Sequence, residues 1–127
     1  MAAYGYGIDL CEGWYGDCCG KEVTVLMTTK EFAEHVEKHA TYDLDDQYCV
    51  IALNGEAGEV AEWYKKYVLR KNVIGKHTEQ DLLFELGDVL YYLTRLGMNH
   101  GWTLDTIMEA NEQKLDKRVK ERKRQIV

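Results

Sequence analysis

The amino-acid sequence predicts an all-α protein, a four-helix bundle that is completed by oligomerisation and preceded by an irregular N-terminal segment. Three observations favour this fold class. The 127 residues contain no proline, apolar residues recur at helical spacing from residue 28 onward, and threonine capping signals open three of the periodic segments. We therefore divide the chain into an irregular segment rich in Gly, Tyr and Cys at residues 1–27 and a helical domain at residues 28–127.

The first two helices are predicted between residues 28 and 70. Thr28 and Glu31 have the spacing of a capping box before "EFAEHVEKHA", whose apolar residues line one side of a helix. The break at "TYDLDD" leads into a long second helix over about residues 46–70. This helix contains "LNGEAGEVAEWYKK", in which Gly58 costs about 1 kcal/mol relative to alanine.

The last two helices follow a chain reversal at "KNVIGKHT". Thr78 and Asp81 cap a third helix that runs to about Asn99. Gly101 ends this helix, and Thr103 opens a fourth through "LDTIMEANEQKLDKRVKERK". The third helix is apolar on almost every side, which predicts that it is buried on most sides.

Composition narrows the class of protein. The chain is 46% hydrophobic and 30% charged, and no apolar run approaches the roughly 18 residues of a membrane span. No signal peptide is visible either, so we expect a soluble, cytoplasmic protein that does not bind membranes. The net charge of −6 argues against nucleic-acid binding, although residues 111–127 hold seven Lys and Arg residues. Those cations suit the C-terminus of a helix, or alternatively contact phosphate groups.

The four cysteines lack the usual spacing of a zinc site. No CxxC pair occurs among Cys11, Cys18, Cys19 and Cys49, so we expect reduced thiols. Cys49 lies on a helix face predicted to be buried. A metal knot formed by the other three cysteines is the alternative, although it has only three ligands close together.

Acidic residues form strips on the second and third helices. On the second, Glu56 and Glu59 are three residues apart and share one side. On the third, Glu85 and Asp88 interrupt the apolar surface, followed on the same strip by Tyr92 and Arg95. Buried carboxylates cost several kcal/mol unless something positive pairs with them, and a single arginine cannot neutralise four acids.

A divalent cation accounts for both acidic strips. If the second and third helices form an antiparallel hairpin, the four carboxylates face each other. Oxygen ligands without histidine or thiolate suit Mg²⁺, with Mn²⁺ as a substitute. Gly58 would then allow another helix or a ligand to come close. We therefore predict that one or more metal ions bind Glu56, Glu59, Glu85 and Asp88.

These motifs resemble a known enzyme family. "EAGE" at 56–59, 25 intervening residues and "ELGD" at 85–88 are similar to the ExxE…ExxD signature of the MazG-like all-α nucleoside triphosphate pyrophosphatases. "ANEQKLDKR" at 110–118 is similar to that family's N-x-x-K-L-x-x-R element, and the resemblance covers roughly residues 28–122. Residues 1–27 depart from the pattern.

The resemblance implies an activity and an assembly. It implies Mg²⁺-dependent hydrolysis of a (deoxy)nucleoside triphosphate between the α- and β-phosphates, which gives a monophosphate and pyrophosphate. Family members range from broad housecleaning enzymes to narrow dUTP or dCTP hydrolases. They form homodimers or homotetramers with sites at or near subunit contacts. The four acids are the expected catalytic and metal-binding residues. A carboxylate among them that does not contact the metal is expected to orient or deprotonate the attacking water.

Further residues are candidates for substrate binding. Asn111, Lys114 and Arg118 share a helix face and are expected to bind phosphates, unless they form an ordinary polar surface. Lys66 follows Glu59 by two turns, and either reaches the nucleotide or pairs with Glu62. Four aromatic or histidine residues are also considered. Tyr92 packs near the sugar or base or in the core, Trp63 is expected in the core, and His35 and His39 face solvent or a base.

Two other functions are alternatives to catalysis. A di-iron carboxylate bundle needs Glu-x-x-His motifs, and none of the four histidines has a glutamate three residues before it. The alternative that stays open is a non-catalytic helical adaptor, or a nucleic-acid-associated protein that uses its basic C-terminal helix. This alternative leaves the acidic strip of the third helix unexplained.

Overall fold

The computed structural model describes residues 27–40, 44–73 and 75–126, and this part of the chain is all-α. It contains no strand, and its α-helices are α1 (Thr29–His39), α2 (Asp46–Tyr64), α3 (Glu79–Asn99) and α4 (Leu104–Gln125). The all-α class is therefore confirmed. The predictions for Cys11, Cys18 and Cys19 lie outside the described residues, as does the irregular segment up to residue 26.

The helices begin where the sequence predicted, because capping is a local interaction. The backbone N–H of Thr28 donates to Glu31 at 2.7 Å, while the N–H of Glu31 donates to the Thr28 hydroxyl at 3.2 Å. The same reciprocal pair joins Thr78 and Asp81 at 2.6 and 3.3 Å. Both predicted capping boxes are confirmed, and α4 begins after the predicted Thr103 cap.

The predicted second helix has a different ending. It is α-helical to Tyr64 and continues as a π-helical turn, Lys65–Leu69. The wider winding is visible at Arg70, whose N–H donates to the carbonyl of Lys65 at 3.0 Å. Two consecutive left-handed residues, Lys71 (φ 52°) and Asn72 (φ 47°), then end the helix. Such non-glycine conformations cost about 1–3 kcal/mol each and persist only where the surrounding structure holds them.

Helices α2 and α3 form an antiparallel hairpin held at both ends. At the turn, the Trp63 indole N–H donates to the carbonyl of Thr78 at 2.8 Å. At the opposite end, the Asn99 amide donates to the carbonyl of Leu44 at 2.8 Å and to Asp46 at 3.1 Å. Of the helix pairs in the described residues, α2 and α3 have the most extensive contact. The antiparallel hairpin that was the condition for the two acidic strips to meet is therefore present.

Helices α1 and α4 pack against α3 of this hairpin and against each other. The Thr29 hydroxyl donates to the Asp105 carboxylate at 3.0 Å and so joins the starts of α1 and α4. Gly97 is buried where α4 crosses α3, and a Cβ atom there would lie 2.8 Å from Cδ1 of Ile107. A side chain at position 97 would therefore displace the end of the Ile107 side chain at this crossing.

The buried core of the described chain is small. Its buried apolar residues are Val36, Leu44, Cys49, Trp63 and Leu104. The expectation that α3 is buried on most sides is not met within one chain, since a stripe of α3 leucines, Leu83, Leu86 and Leu90, is exposed. A second exposed stripe on α4 contains Met108, Leu115 and Val119. The reason is geometric, since the other described helices are too few to cover α3 on all sides.

None of the described helices is both long enough and apolar enough to cross a bilayer.

The cap of α3 offers a test of the hairpin. Replacing Thr78 with alanine removes the hydroxyl that accepts from Asp81, so we expect a loss of about 1 kcal/mol in the free energy of unfolding. Thr78→Ser keeps a hydroxyl and should unfold at nearly the wild-type temperature. Thermal unfolding of the three proteins at one concentration measures this. Equal melting temperatures for all three would contradict the role of the cap.

Candidate metal centre

Three carboxylates from the two hairpin helices converge in the middle of the hairpin. Glu56 comes from α2, and Glu85 and Asp88 come from α3. One oxygen from each of the three lies within 4.8 Å of the others. We call these three residues the acidic trio. Glu56 and Glu85 are half-buried and Asp88 is exposed, so the trio is open to solvent on one side.

The trio holds negative charge, and no protein cation of the described residues forms an ion pair with it. Burial raises the pKa of Glu56, and the charges of Asp88, Glu85 and Glu59 raise it further. Oxygen donors that are close together, mutually repelling and unpaired match the ligand set of a hard divalent cation.

Glu59 lies beside the trio rather than within it. The sequence predicted four converging carboxylates, and the structure brings three of them within ligand distance of one another. Glu59 is exposed, lines a cavity together with Glu85, and still raises the pKa of Glu56 by charge repulsion. Its position three residues after Glu56 turns its side chain about 60° around the helix, which separates it from the other acids.

Two residues near the trio have other surroundings. The expectation that another helix comes close to Gly58 is not met among the described residues, because a Cβ atom added there meets no neighbouring atom within 4 Å, while the approach of a ligand stays a prediction. Arg95, which follows the acids on the predicted strip, forms no ion pair with the trio. Its charge acts on Cys49, where it opposes the rise in thiol pKa caused by burial, and its Nε atom is buried without a hydrogen-bond partner among the described residues.

A polar cavity of about 240 Å³ lies on the Glu85 side of the trio. We call it the near cavity. Glu59, Lys66, Lys76 and His77 contribute to its lining. The Lys66 ammonium forms the expected i,i+4 pair with Glu62 at 3.1 Å, and Lys66 also lines the near cavity. Its contact with a nucleotide stays a prediction.

An aromatic cavity of about 430 Å³ lies on the Asp88 side. Its walls include Phe32 and His35 of α1 and Phe84 and Tyr91 of α3. Phe84 is 62% exposed, and its position beside Asp88 gives a flat apolar surface next to the trio. Sequence reasoning missed Phe32, Phe84 and Tyr91, since their helical spacing is equally typical of core residues.

The remaining histidine and aromatic candidates make contacts within the chain, while their roles toward a nucleotide stay predictions. The rings of His35 and His39 lie 4.3 Å apart, and neither belongs to a group of metal-ligating residues in the described chain. Tyr92 is half-buried, and its ring contacts those of Tyr48 and Tyr91 at 6.3 and 5.1 Å. Trp63 is buried, as expected for a core residue.

The predicted phosphate-binding residues of α4 do not join the trio within one chain. Asn111, Lys114 and Arg118 are all exposed. Among the described residues, no hydrogen bond or ion pair connects any of them to an acid of the trio. Helix α4 touches α1 and α3 rather than α2, and its side chains are exposed from Met108 onward.

Comparison with known proteins yields one partial relative. The chain is 39% identical over 72 residues to the Gene 37 protein of Mycobacterium phage L5. The matched region is 56% of this chain and 63% of the phage protein, so the similarity spans less than two thirds of that protein's length. No protein-family model matches the chain. No solved structure matches it significantly.

Proposed function

We propose that this protein hydrolyses nucleoside triphosphates, in a reaction that requires Mg²⁺ and releases a monophosphate and pyrophosphate. The observation that carries the proposal is the convergence of Glu56, Glu85 and Asp88 within 4.8 Å. Two helices bring these acids together, and no ion pair among the described residues includes any of them. The MazG-like resemblance of "EAGE" and "ELGD" supports the same activity.

The donor set fits Mg²⁺ better than a softer metal. The trio offers carboxylate oxygens alone, which suit Mg²⁺ first and Mn²⁺ as a substitute. When bound, the cation neutralises phosphate oxygens and lowers the pKa of an attacking water. The exposed side of the trio at Asp88 leaves room for phosphate oxygens and water to approach.

Glu59 is our candidate for handling the attacking water. It lies outside the trio and lines the near cavity with Glu85. A carboxylate in that position can accept a proton from water, or orient it, without giving up a metal ligand. Glu56, Glu85 and Asp88 hold the cation, while Glu59 remains available to the water.

The aromatic cavity favours a nucleotide over a simple polyphosphate as substrate. Phe84, Tyr91 and Phe32 offer rings beside Asp88, and His35 lies at the same cavity. Aromatic rings bind flat nucleobases by stacking, which contributes about 1–3 kcal/mol per base. A base in this cavity would leave its phosphates adjacent to the trio.

We also propose that the protein acts as a dimer or tetramer. Leu83, Leu86 and Leu90 form an exposed stripe on α3, spaced three and four residues apart. The α4 stripe of Met108, Leu115 and Val119 is exposed as well. A second copy can cover such stripes. A role for Asn111, Lys114 and Arg118 in phosphate binding requires this second copy, because within one chain they do not join the trio.

The adaptor function is the second candidate. It is favoured by α4, whose exposed last turn contains Arg122, Lys123 and Arg124. Such a surface could contact nucleic acid or an acidic partner. It does not account for the acidic trio, so catalysis remains the first proposal.

The bond cleaved is the first test of this function. Each of the eight common nucleoside triphosphates is incubated with the protein and Mg²⁺, and the products are read by phosphorus NMR. We expect a monophosphate and pyrophosphate from at least one nucleotide, and no turnover in EDTA. Stoichiometric orthophosphate without added pyrophosphatase would rule out the pyrophosphatase activity, although not the metal centre.

The metal centre is tested by Glu85→Gln. This change keeps the shape of the side chain, removes a ligand charge and relieves repulsion in the trio. We expect turnover to fall by about a hundredfold or more, since even an outer-sphere partner of a metal ligand is worth about 10–100-fold. In EDTA the variant should melt at or above the wild-type temperature, because like charges in the trio repel.

Mg²⁺ titration of the same proteins supplies a readout independent of activity. Mg²⁺ should raise the melting temperature of the wild type by mass action and that of Glu85→Gln far less. Glu34→Gln on α1, at an exposed position, removes the same charge and is the matched control, with a wild-type response. Equal stabilisation of Glu85→Gln and wild type by Mg²⁺ would show that the acids are structural.

Assembly is tested by light scattering at micromolar concentration. We expect a dimer or tetramer that buries more than about 1,000 Å² of interface. Leu86→Lys adds a charge to the α3 stripe and should shift the protein toward monomer. Val73→Lys adds the same charge in the α2–α3 turn, at a residue that is 84% exposed, and should leave the mass unchanged. A wild type that is monomeric throughout would contradict the proposal.

A further inference from the structure

The connection between α2 and α3 concentrates positive charge next to the acidic trio. Residues 65–77 contain no Asp or Glu, although the whole chain has a net charge of −6. They contain five cations: Lys65, Lys66, Arg70, Lys71 and Lys76. We call residues 65–77 the cationic turn.

The backbone of the cationic turn is held by specific hydrogen bonds. The Asn72 side chain binds the main chain of His77 twice, donating to its carbonyl at 2.9 Å and accepting from its N–H at 3.2 Å. Trp63 fixes the start of α3 through the carbonyl of Thr78. Hydrogen bonds therefore fix the described ends of the cationic turn to each other and to the hairpin.

Two cavities meet at this turn. The near cavity is lined by Lys66, Lys76 and His77 and also by four acids, Glu59, Glu62, Asp81 and Glu85, so its cations lie among carboxylates. A second cavity of about 470 Å³, which we call the far cavity, is lined by Lys66, Arg70 and His77. Lys66 and His77 line both cavities. The two cavities are therefore adjacent, and cationic side chains extend from the near cavity beside the trio into the far cavity.

These cations are not all accounted for as partners of protein acids. Lys65 and Lys66 both pair with Glu62. Arg70 and Lys76 form no ion pair with the described residues, although each lines a cavity. Cations near a helix C-terminus interact favourably with the helix dipole, but this effect fades within one turn. It does not explain Lys76, which precedes α3.

We propose that the cationic turn binds the β- and γ-phosphates of the substrate, the half that is released as pyrophosphate. This inference rests on the proposed function. Lys76 contacts phosphate oxygens in the near cavity and Arg70 in the far cavity, since guanidinium and ammonium groups form charge-assisted hydrogen bonds with phosphate. The trio by itself would repel a polyanion, and the turn supplies the opposing charge.

The aromatic cavity gives the substrate a direction. It opens on the Asp88 side of the trio, whereas the near cavity opens on the Glu85 side. A nucleotide whose base lies against Phe84 therefore extends its phosphates across the trio toward Lys76. The nucleoside monophosphate half and the pyrophosphate half then contact different residues, which makes the two products separately testable.

The test measures binding of inorganic pyrophosphate and of the nucleoside monophosphates, each with Mg²⁺, by calorimetry. The variants are Lys76→Gln and Arg70→Gln, and the matched control is Lys30→Gln, an exposed lysine on α1. We expect the dissociation constant for pyrophosphate to rise about tenfold or more in each turn variant, as a charged hydrogen bond is lost. Monophosphate binding in these variants, and both affinities in the control, should be unchanged.

The outcomes separate this inference from the proposed function. Unchanged pyrophosphate affinity in both turn variants, or equal weakening of both products, overturns the inference while leaving catalysis at the trio intact. The protein could also bind pyrophosphate through Lys76 and Arg70 and yet hydrolyse none of the eight triphosphates. That result contradicts the proposed function but supports an anion site at the turn. A wild type that binds no pyrophosphate overturns the inference directly.

Discussion

The antiparallel register of α2 against α3 is the constraint on which the rest of the structure depends. It places Glu56 opposite Glu85 and Asp88, and it is held at one end by Trp63 and at the other by Asn99. A shift of one residue along either helix would rotate its acids by 100° and separate the trio. The hydrogen bonds at the two ends of the hairpin therefore act on the site in its middle.

That register brings like charges together, which costs stability. The pKa of Glu56 is raised by burial and by three neighbouring acids, so ionising the cluster in the folded chain is unfavourable. The small apolar core of the described residues offers little to offset this cost. On our proposal, two additions compensate: a cation at the trio and a second copy against the exposed stripes. Stability and function would then depend on the same bound partners.

The sequence was most informative where the interactions are local. Capping boxes join residues three apart, so Thr28 and Thr78 could be read directly as helix starts, whereas the hairpin was only the condition under which the acidic strips would meet. The π-helical turn and the left-handed Lys71 and Asn72 could not be predicted, because tertiary contacts such as the Asn72–His77 clamp hold them. Glu59 shows the limit of a spacing argument, since residues three apart share a side of a helix without pointing in one direction.

Charge changes sign along the hairpin, a pattern that is not visible when each helix of the sequence is considered alone. The acids belong to the middle of the hairpin, the aromatic rings to the α1–α3 side, and the cations to the turn. A free polyanion approaching the trio meets repulsion, and a free Mg²⁺ approaching the turn does too. If the trio binds the cation and the turn binds the phosphates, as we propose, their complex would reduce both repulsions. On the proposed function, the folded hairpin thus favours binding of the metal–nucleotide complex as a unit, with the charge pattern of α2, its turn and α3 setting the direction of the substrate.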